Sequence, residues 1–294
     1  MQFGIGTYSF GGLASFLGLG PTLLEKFQSI KALGYDFVEL LAGDLENDVE
    51  DIKKWLDEAG LTVCSVHAQP TEEVVKKMAA LGGKAVIWPG SPFNSTEEAI
   101  ELAHQLDEMA EMAAPYGIKV AYHNHSSEFY VDKGKPILET VAENSSKCFF
   151  QLDCGWAMNA GTYPPSFIRR YKNRFISIHV KENCRVQGPG PKPASRHEER
   201  KGGSPFGNIK EMSIEERQKL LEDLTKRFAA NREDKPIVQC KLGAPESNIN
   251  WHEIKKALDE QDFEAFWVVE REEFYDEHDK CIAEDCEWLK ANIQ

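Results

Sequence analysis

The chain reads as an α/β protein folded into a single closed (β/α)8 barrel of the TIM type. Three observations predict this. Short apolar runs alternate with amphipathic helical stretches along all 294 residues, the pattern of a parallel sheet with helices outside it. The joints repeat one form, a glycine followed by one or two residues and then an apolar strand, at Gly34, Gly60, Gly83 and Gly117. No linker divides the chain, so one domain over residues 1–294 is expected. An open doubly wound sheet is the alternative. Its phosphate-binding G-x-G-x-x-G is missing after the first strand, because Gly4-Ile5-Gly6 lies inside that strand.

The elements follow in order. Residues 2–6 form the first strand, and a helix runs over 21–33 with Pro21 in its first turn and Gly34 as its stop. Strand two covers 36–41, and a helix over 49–59 ends at Gly60. Strand three covers 61–67, and a helix over 72–81 stops at Gly82-Gly83. Strand four is 85–88. The long helix from 96 to 114 has Ser95 or Thr96 as its cap. Strand five (118–123), a helix near 135–143, strand six (148–153) and a helix starting over 165–171 come next. Strand seven (175–180) leads into a long loop rich in Gly, Pro and charge, about 181–211. A helix at 213–229, strand eight (266–270) and a C-terminal helix at 278–290 complete the barrel.

Composition narrows the function. At this size roughly three-quarters of the unfolded chain's surface can be buried, enough for a substantial core. The net charge of −14 disfavours nucleic acid, whose phosphates need clustered Lys and Arg. The dispersed acids read as solvated helix faces. No apolar run approaches the roughly 18 residues of a membrane span, and the N-terminus reads as a strand and not as a signal peptide. Seven irregularly spaced cysteines without a CxxC suggest reduced thiols and a cytoplasmic location.

Active sites of such barrels sit at the C-terminal ends of the strands. Those ends carry Glu39, His67, Trp88, His123, Asp153, His179 and Glu270. Taken singly, a histidine is more often structural, Asp153 is a helix cap and Glu270 a surface charge. Taken together, two imidazoles and two carboxylates from four successive late strands, His123, Asp153, His179 and Glu270, make a mixed nitrogen and oxygen site. Such a set suits one divalent ion, Mn²⁺ first and Zn²⁺, Co²⁺ or Fe²⁺ next, better than Ca²⁺. Glu39, His67 and Trp88 are assigned to the pocket wall, with Trp88 offering a sugar a face to stack on or simply packing.

These residues resemble those of the xylose-isomerase-like TIM barrels, a family of sugar isomerases and epimerases, hydroxypyruvate isomerase, keto-inositol dehydratase and endonuclease IV type enzymes. The resemblance covers nearly the whole chain. It rests on Tyr122-His123-Asn124-His125-Ser126-Ser127-Glu128-Phe129, Gln151-Leu152-Asp153-Cys154-Gly155-Trp156 with Gly161, and Ile178-His179-Val180-Lys181-Glu182. Leu242-Gly243 with Asn248-Ile249-Asn250-Trp251, and Trp267-Val268-Val269-Glu270, complete it. The family's metal ligands are Glu, Asp, His and Glu, and Asp153, His179 and Glu270 match the last three. His123 stands where the first Glu is usual. Either His123 ligates in its place or Glu128 swings in.

The resemblance implies chelation of a carbonyl and a neighbouring hydroxyl, with a metal-stabilised enediolate formed as the α-proton leaves. Glu270 is the expected base, with Glu128 and His125 as candidates for its partner. Lys181, on the same side of its strand as His179, is expected to point at substrate. Trp156 joins the substrate-binding set, as does Arg196, which with His197 lies in the long loop. A keto-sugar isomerase or epimerase is the first reading. A lyase or dehydratase on a keto-inositol or 3-keto-glycoside, including a C-glycoside-cleaving subunit, is the second, and a non-catalytic sugar-binding barrel the third. A nuclease is disfavoured by the acidic charge. The expected partner is a small sugar or cyclitol, unphosphorylated because no Gly-rich phosphate loop opens a helix. A homo-oligomer or a heteromeric subunit both stay open.

Overall fold

The computed structural model describes residues 1–198, 212–232 and 239–293. Eight parallel strands close on themselves: β1 (Gly4–Gly6), β2 (Phe37–Leu41), β3 (Thr62–His67), β4 (Ala85–Trp88), β5 (Lys119–His123), β6 (Phe149–Asp153), β7 (Phe175–Val180) and β8 (Phe266–Val269). Each strand pairs with its neighbour in sequence, and β1 pairs with both β2 and β8, so no edge is left open. The predicted eight strands are all present, two with the predicted bounds and the others with an end moved by one or two residues.

Helix starts follow local chemistry. Thr22 and Glu25 form a reciprocal capping box, and Asp48, Thr71 and Ser95 each accept a first-turn N–H. Of the two expected caps for the long helix Thr96–Ala113, Ser95 is the one used, through Glu98 N. Gly60 closes its helix with a φ of 66°, a conformation costly for any residue with a Cβ. Several short elements go beyond the sequence reading. They are the helices Gly12–Phe16, Cys154–Asn159 and Trp251–Asp259, and a two-stranded hairpin of Val131–Asp132 with Lys135–Pro136. The helices Gly12–Phe16 and Cys154–Asn159 and the hairpin are too short to show a hydrophobic period, whereas Trp251–Asp259 is amphipathic, burying Trp251, Ile254, Ala257 and Leu258, and its Asn250 cap was legible in the sequence.

The main core lies between sheet and helices and includes Phe27, Ile30, Val38, Leu40, Leu102, Leu106, Ile178 and Trp267. Two smaller clusters occupy the inward faces below the site, Phe37, Cys64 and Val268 in one and Ala85, Ile87, Ala121 and Ile176 in the other. Phe37 fits because β1 carries glycine opposite it: a Cβ on Gly4 would lie 2.1 Å from the Phe37 ring. Alternation along a strand then decides what stands above this floor. Two residues beyond Phe37, Ala121 and Val268 come Glu39, His123 and Glu270, on the same face and one layer nearer the C-terminal mouth.

The loop after β7 is described as far as 198, and the remainder of the expected 181–211 loop lies outside the described residues. Gln187 and Gly188 donate to Asn159 O at 2.9 Å. The chain then crosses the mouth and settles on the helix Thr96–Ala113. There Ser195 Oγ and Arg196 N donate to Glu98, and His197 Nε2 lies 2.9 Å from Glu101. Among the described residues no helix is long and apolar enough to cross a membrane.

Candidate metal centre

His123, Asp153, His179 and Glu270 each bring one ligand atom into a group whose members all lie within 4.8 Å of one another. They come from the ends of β5, β6 and β7 and from the residue after β8. His179 Nδ1 is 3.7 Å from Asp153 Oδ2 and 3.3 Å from Glu270 Oε2. Asp153 performs two tasks. Its Oδ1 caps the helix Cys154–Asn159 by accepting Trp156 N at 2.7 Å, and its Oδ2 is buried without a hydrogen-bond partner. His179 Nδ1 is likewise buried and unpartnered. Two buried polar atoms without a hydrogen bond, facing the same spot, are costly unless positive charge sits between them, either a metal ion or the proton of a His179 imidazolium. The donor set therefore fits a divalent transition metal.

A polar layer beneath the ligands sets their tautomers. His179 Nε2 donates to Glu39 Oε1 at 2.6 Å, leaving Nδ1 as the lone-pair nitrogen. His123 Nδ1 donates to Gln151 Oε1 at 3.0 Å, which leaves Nε2 for the centre. His67 Nε2 donates to the same Gln151 oxygen at 2.6 Å, and the His67 ring stacks on that of His179 at 5.0 Å. Gln151 Nε2 in turn donates to Glu39 Oε2 (2.7 Å) and Ser177 Oγ (3.0 Å), and Ser65 Oγ donates to Glu39 at 2.6 Å. This is the outer-shell arrangement that orients metal-binding imidazoles.

The electrostatics favour positive charge at the centre. Burial works against an imidazolium at His179, but Glu270, Glu39 and Asp153 outweigh it and hold its pKa well above the usual value. Burial and the neighbouring His179 and His67 push His123 well below, so it stays neutral, the form that ligates. Burial alone would raise Glu39, yet His67 and His179 bring it down to about 2. Burial would also lower Lys181, but Glu270 and Glu272 beside it keep it above the ordinary lysine value.

The expected site residues separate by position. Glu128 is not in the ligand group; its Oε1 accepts Tyr122 Oη at 3.1 Å and its Oε2 accepts His125 N at 3.0 Å and Ser127 Oγ at 2.8 Å. His125 is half-exposed, with Nδ1 3.9 Å from Glu128 Oε1. Both line an open cleft of about 460 Å³, together with Pro89–Pro92 and with Pro189, Pro191, Lys192 and Pro193 of the crossing loop. Lys181 Nζ reaches Glu270 Oε2 at 3.0 Å and sits 4.7 Å from the centre of the Trp156 ring.

The structure places three of the residues expected to bind substrate as follows. Glu39 is 2% exposed and both its oxygens are taken by His179, His67, Ser65 and Gln151, so none is left for a substrate. Trp88 packs against the main core. Arg196 bonds to Gln105 on the helix Thr96–Ala113, because the loop carries it past the mouth. Sequence reasoning gave no role to Gln151, although it stands two residues before Asp153 and so shares its inward face. Ser65 before His67 and Ser177 before His179 carry the same signal. It also missed Glu182, whose buried carboxylate accepts Asn183 N (3.0 Å), Gly243 N (3.0 Å), Ser247 Oγ (2.6 Å) and Trp251 Nε1 (2.9 Å). That one side chain joins the 178–182, 242–243 and 248–251 pieces of the sequence motif.

A closed parallel barrel with a mixed His and carboxylate cluster at its C-terminal mouth defines the class. The chain belongs to the xylose isomerase-like TIM barrel family, whose model matches residues 27–292. An inosose dehydratase of Clostridium botulinum (strain Alaska E43 / Type E3) is 23% identical over 200 residues, covering 56% of this chain and 65% of that protein. The chain is therefore matched to just under two thirds of that relative's length. A sugar phosphate isomerase/epimerase from Parabacteroides distasonis ATCC 8503 superposes with a TM-score of 0.66 at 20% identity, over 99% of this chain and 94% of that one. A 3-keto-D-glucoside 4-epimerase from E. coli superposes with a TM-score of 0.62 at 15% identity, over 99% of each chain. At these identities the structural likeness establishes the fold alone.

Proposed function

We propose that the chain is a divalent-metal-dependent isomerase or epimerase of an unphosphorylated keto-sugar. The observation that carries this reading is the pair of buried, unpartnered atoms, Asp153 Oδ2 and His179 Nδ1, facing one spot with His123 and Glu270 beside it. His123, Asp153, His179 and Glu270 would hold the ion. Bound there, it would supply Lewis acidity to a substrate carbonyl and so acidify the neighbouring C–H. Glu270 takes that proton as the general base. The Lys181 ammonium, 3.0 Å from Glu270, faces the negative charge that grows on the substrate oxygen. His125, backed by Glu128 on the same wall of the cleft, returns a proton. Such acid and base groups typically contribute about 10²–10⁴-fold each. Gln151 and Glu39 act behind the ligands, fixing their rings. Trp156 supports Lys181 and offers a flat face to the sugar.

A dehydratase or lyase acting on a keto-inositol or 3-keto-glycoside is the second reading. Two observations favour it: His123 replaces the first carboxylate of the usual ligand set, and an inosose dehydratase is among the relatives. The same proton abstraction would then expel a β-substituent.

The test is incubation of the Mn²⁺-loaded protein with ketoses, inososes and 3-keto-glycosides in D₂O, followed by NMR. The expected result is deuterium at one carbon beside the carbonyl together with an isomer or epimer. Loss of water or of the glycosyl group selects the second reading. No exchange with any of these substrates, in a protein that holds metal, leaves the sugar-binding barrel.

A further inference from the structure

Lys181 is held more elaborately than a lone catalytic lysine needs. Its Nζ bonds to two carboxylates, Glu270 Oε2 at 3.0 Å and Glu272 Oε2. Its stem passes over Gly155, where a Cβ would lie 2.7 Å from Lys181 O and 2.9 Å from its Cγ, and the ammonium lies over Trp156. A cavity of about 70 Å³ beside it is walled in part by Gly155, Trp156, Gln239 and Glu272. Gln239 fixes the carboxylate-bearing turn: its Oε1 accepts Glu272 N and Glu273 N at 3.1 and 2.9 Å, and its Nε2 donates to Glu270 O at 3.1 Å.

The oxygen that Lys181 shares with the ligand group is the informative one. Glu270 Oε2 lies 3.0 Å from Lys181 Nζ and 3.3 Å from His179 Nδ1. It is contested between the ammonium and the centre. A cation at the centre would draw on Glu270, and but for Glu272 the Lys181 ammonium, 4% exposed, would then be a buried charge without a carboxylate partner. Such a charge costs several kcal/mol. Glu272 removes that penalty. Its side chain is one-third exposed, so it reaches Lys181 from the solvent side and has no part in the ligand group.

Building on the proposed metal-dependent reading, we propose that Glu272 is a positioning residue that keeps Lys181 at the rim of the centre when Glu270 turns to the metal. Glu272 thereby uncouples metal binding from the loss of the lysine's ion pair.

The experiment is calorimetric titration of Mn²⁺ into the metal-free whole chain and into E272Q, E272D, K181M and K181M/E272Q, with circular dichroism of each to establish folding. In the wild-type background E272Q is expected to weaken Mn²⁺ binding at least tenfold. In the K181M background the same substitution is expected to change it less than threefold, because there is no ammonium left to compete for Glu270. E272D, which keeps the charge, restores affinity to within threefold of wild type. Equal weakening by E272Q in both backgrounds overturns the proposal, since it would reduce Glu272 to one more negative charge near a cation. Unchanged affinity in E272Q overturns it as well and leaves the metal-dependent reading standing. A folded wild type that takes up no Mn²⁺ overturns both.

Discussion

The imidazole of His179 is fixed from both ends. Its Nε2 donates to Glu39 Oε1 at 2.6 Å, and its Nδ1 faces Asp153 and Glu270. Turning the ring over would break the first contact and present a proton to the second. Glu39 is therefore tied to the candidate metal centre without belonging to the ligand group.

Glu39→Gln keeps the shape of the side chain but removes the charge that orients His179. It is expected to weaken Mn²⁺ binding about 10–100-fold, as loss of outer-shell partners commonly does. His179→Ala is expected to remove the metal altogether. Elemental mass spectrometry of the purified proteins and titration of their metal-free forms check both. Wild-type metal content in His179→Ala would rule out the assigned ligand set.

Glu182→Ala leaves Gly243 N and Trp251 Nε1 without their acceptor in the interior. An unmet buried donor costs about 1–3 kcal/mol, so a loss of about 3 kcal/mol is expected. For a domain of this size that lowers Tm by about 6–12 °C. Calorimetry measures the shift, and a red-shifted tryptophan emission would report the opening around Trp251.

Arg271 and Asp285 form a buried bidentate pair at 2.6 and 2.8 Å, which ties the segment after β8 to the C-terminal helix His278–Asn292. Arg271→Leu is expected to destabilise by about 3–5 kcal/mol, because it strands a carboxylate at 1% exposure. Arg271→Leu/Asp285→Leu should recover most of that loss. Chemical denaturation of the three proteins decides it, and a double variant no more stable than the single one contradicts the argument.

Asp107 gives a pH-dependent contribution away from the metal site. It accepts Ser145 Oγ at 2.6 Å and the backbone N–H groups of Ser146, Lys147 and Cys148 at 2.8–3.1 Å. Burial raises its pKa, but these bonds outweigh it and bring it to about 2. A carboxylate lowered on folding adds stability above its unfolded pKa of about 4, and that stability is lost as the pH falls toward 2. Asp107→Asn should cost about 1–2 kcal/mol at pH 7, discounted for its partial exposure. The gap from wild type should narrow between pH 4 and 2. A gap that stays constant over that range would show that charge is not the cause.

Much of this was legible in the sequence. Each barrel strand is a short apolar run, and His123, Asp153, His179 and Glu270 stand out because they close such runs. The layer beneath was harder to read. A lone Gln151 or Ser177 within a strand looks like any polar residue until the partner strands show that it faces inward. Arg196 was placed in the pocket because its loop starts there, but local sequence does not say where a long loop lands. Its destination is set by Glu98 and Gln105, some ninety residues earlier in the chain. The tie made by Glu182 spans 61–69 residues, a distance over which no periodicity carries information.

The loop that crosses from β7 to the helix Thr96–Ala113 has a consequence for what enters the cleft. The ligands belong to strand ends, where the closed sheet constrains every neighbour. The walls of the cleft above them, Pro89–Pro92 and Pro189–Pro193, belong to stretches that no strand pairing fixes. Substitution in these two stretches can therefore reshape what enters the cleft while the geometry of the His123, Asp153, His179 and Glu270 group is kept.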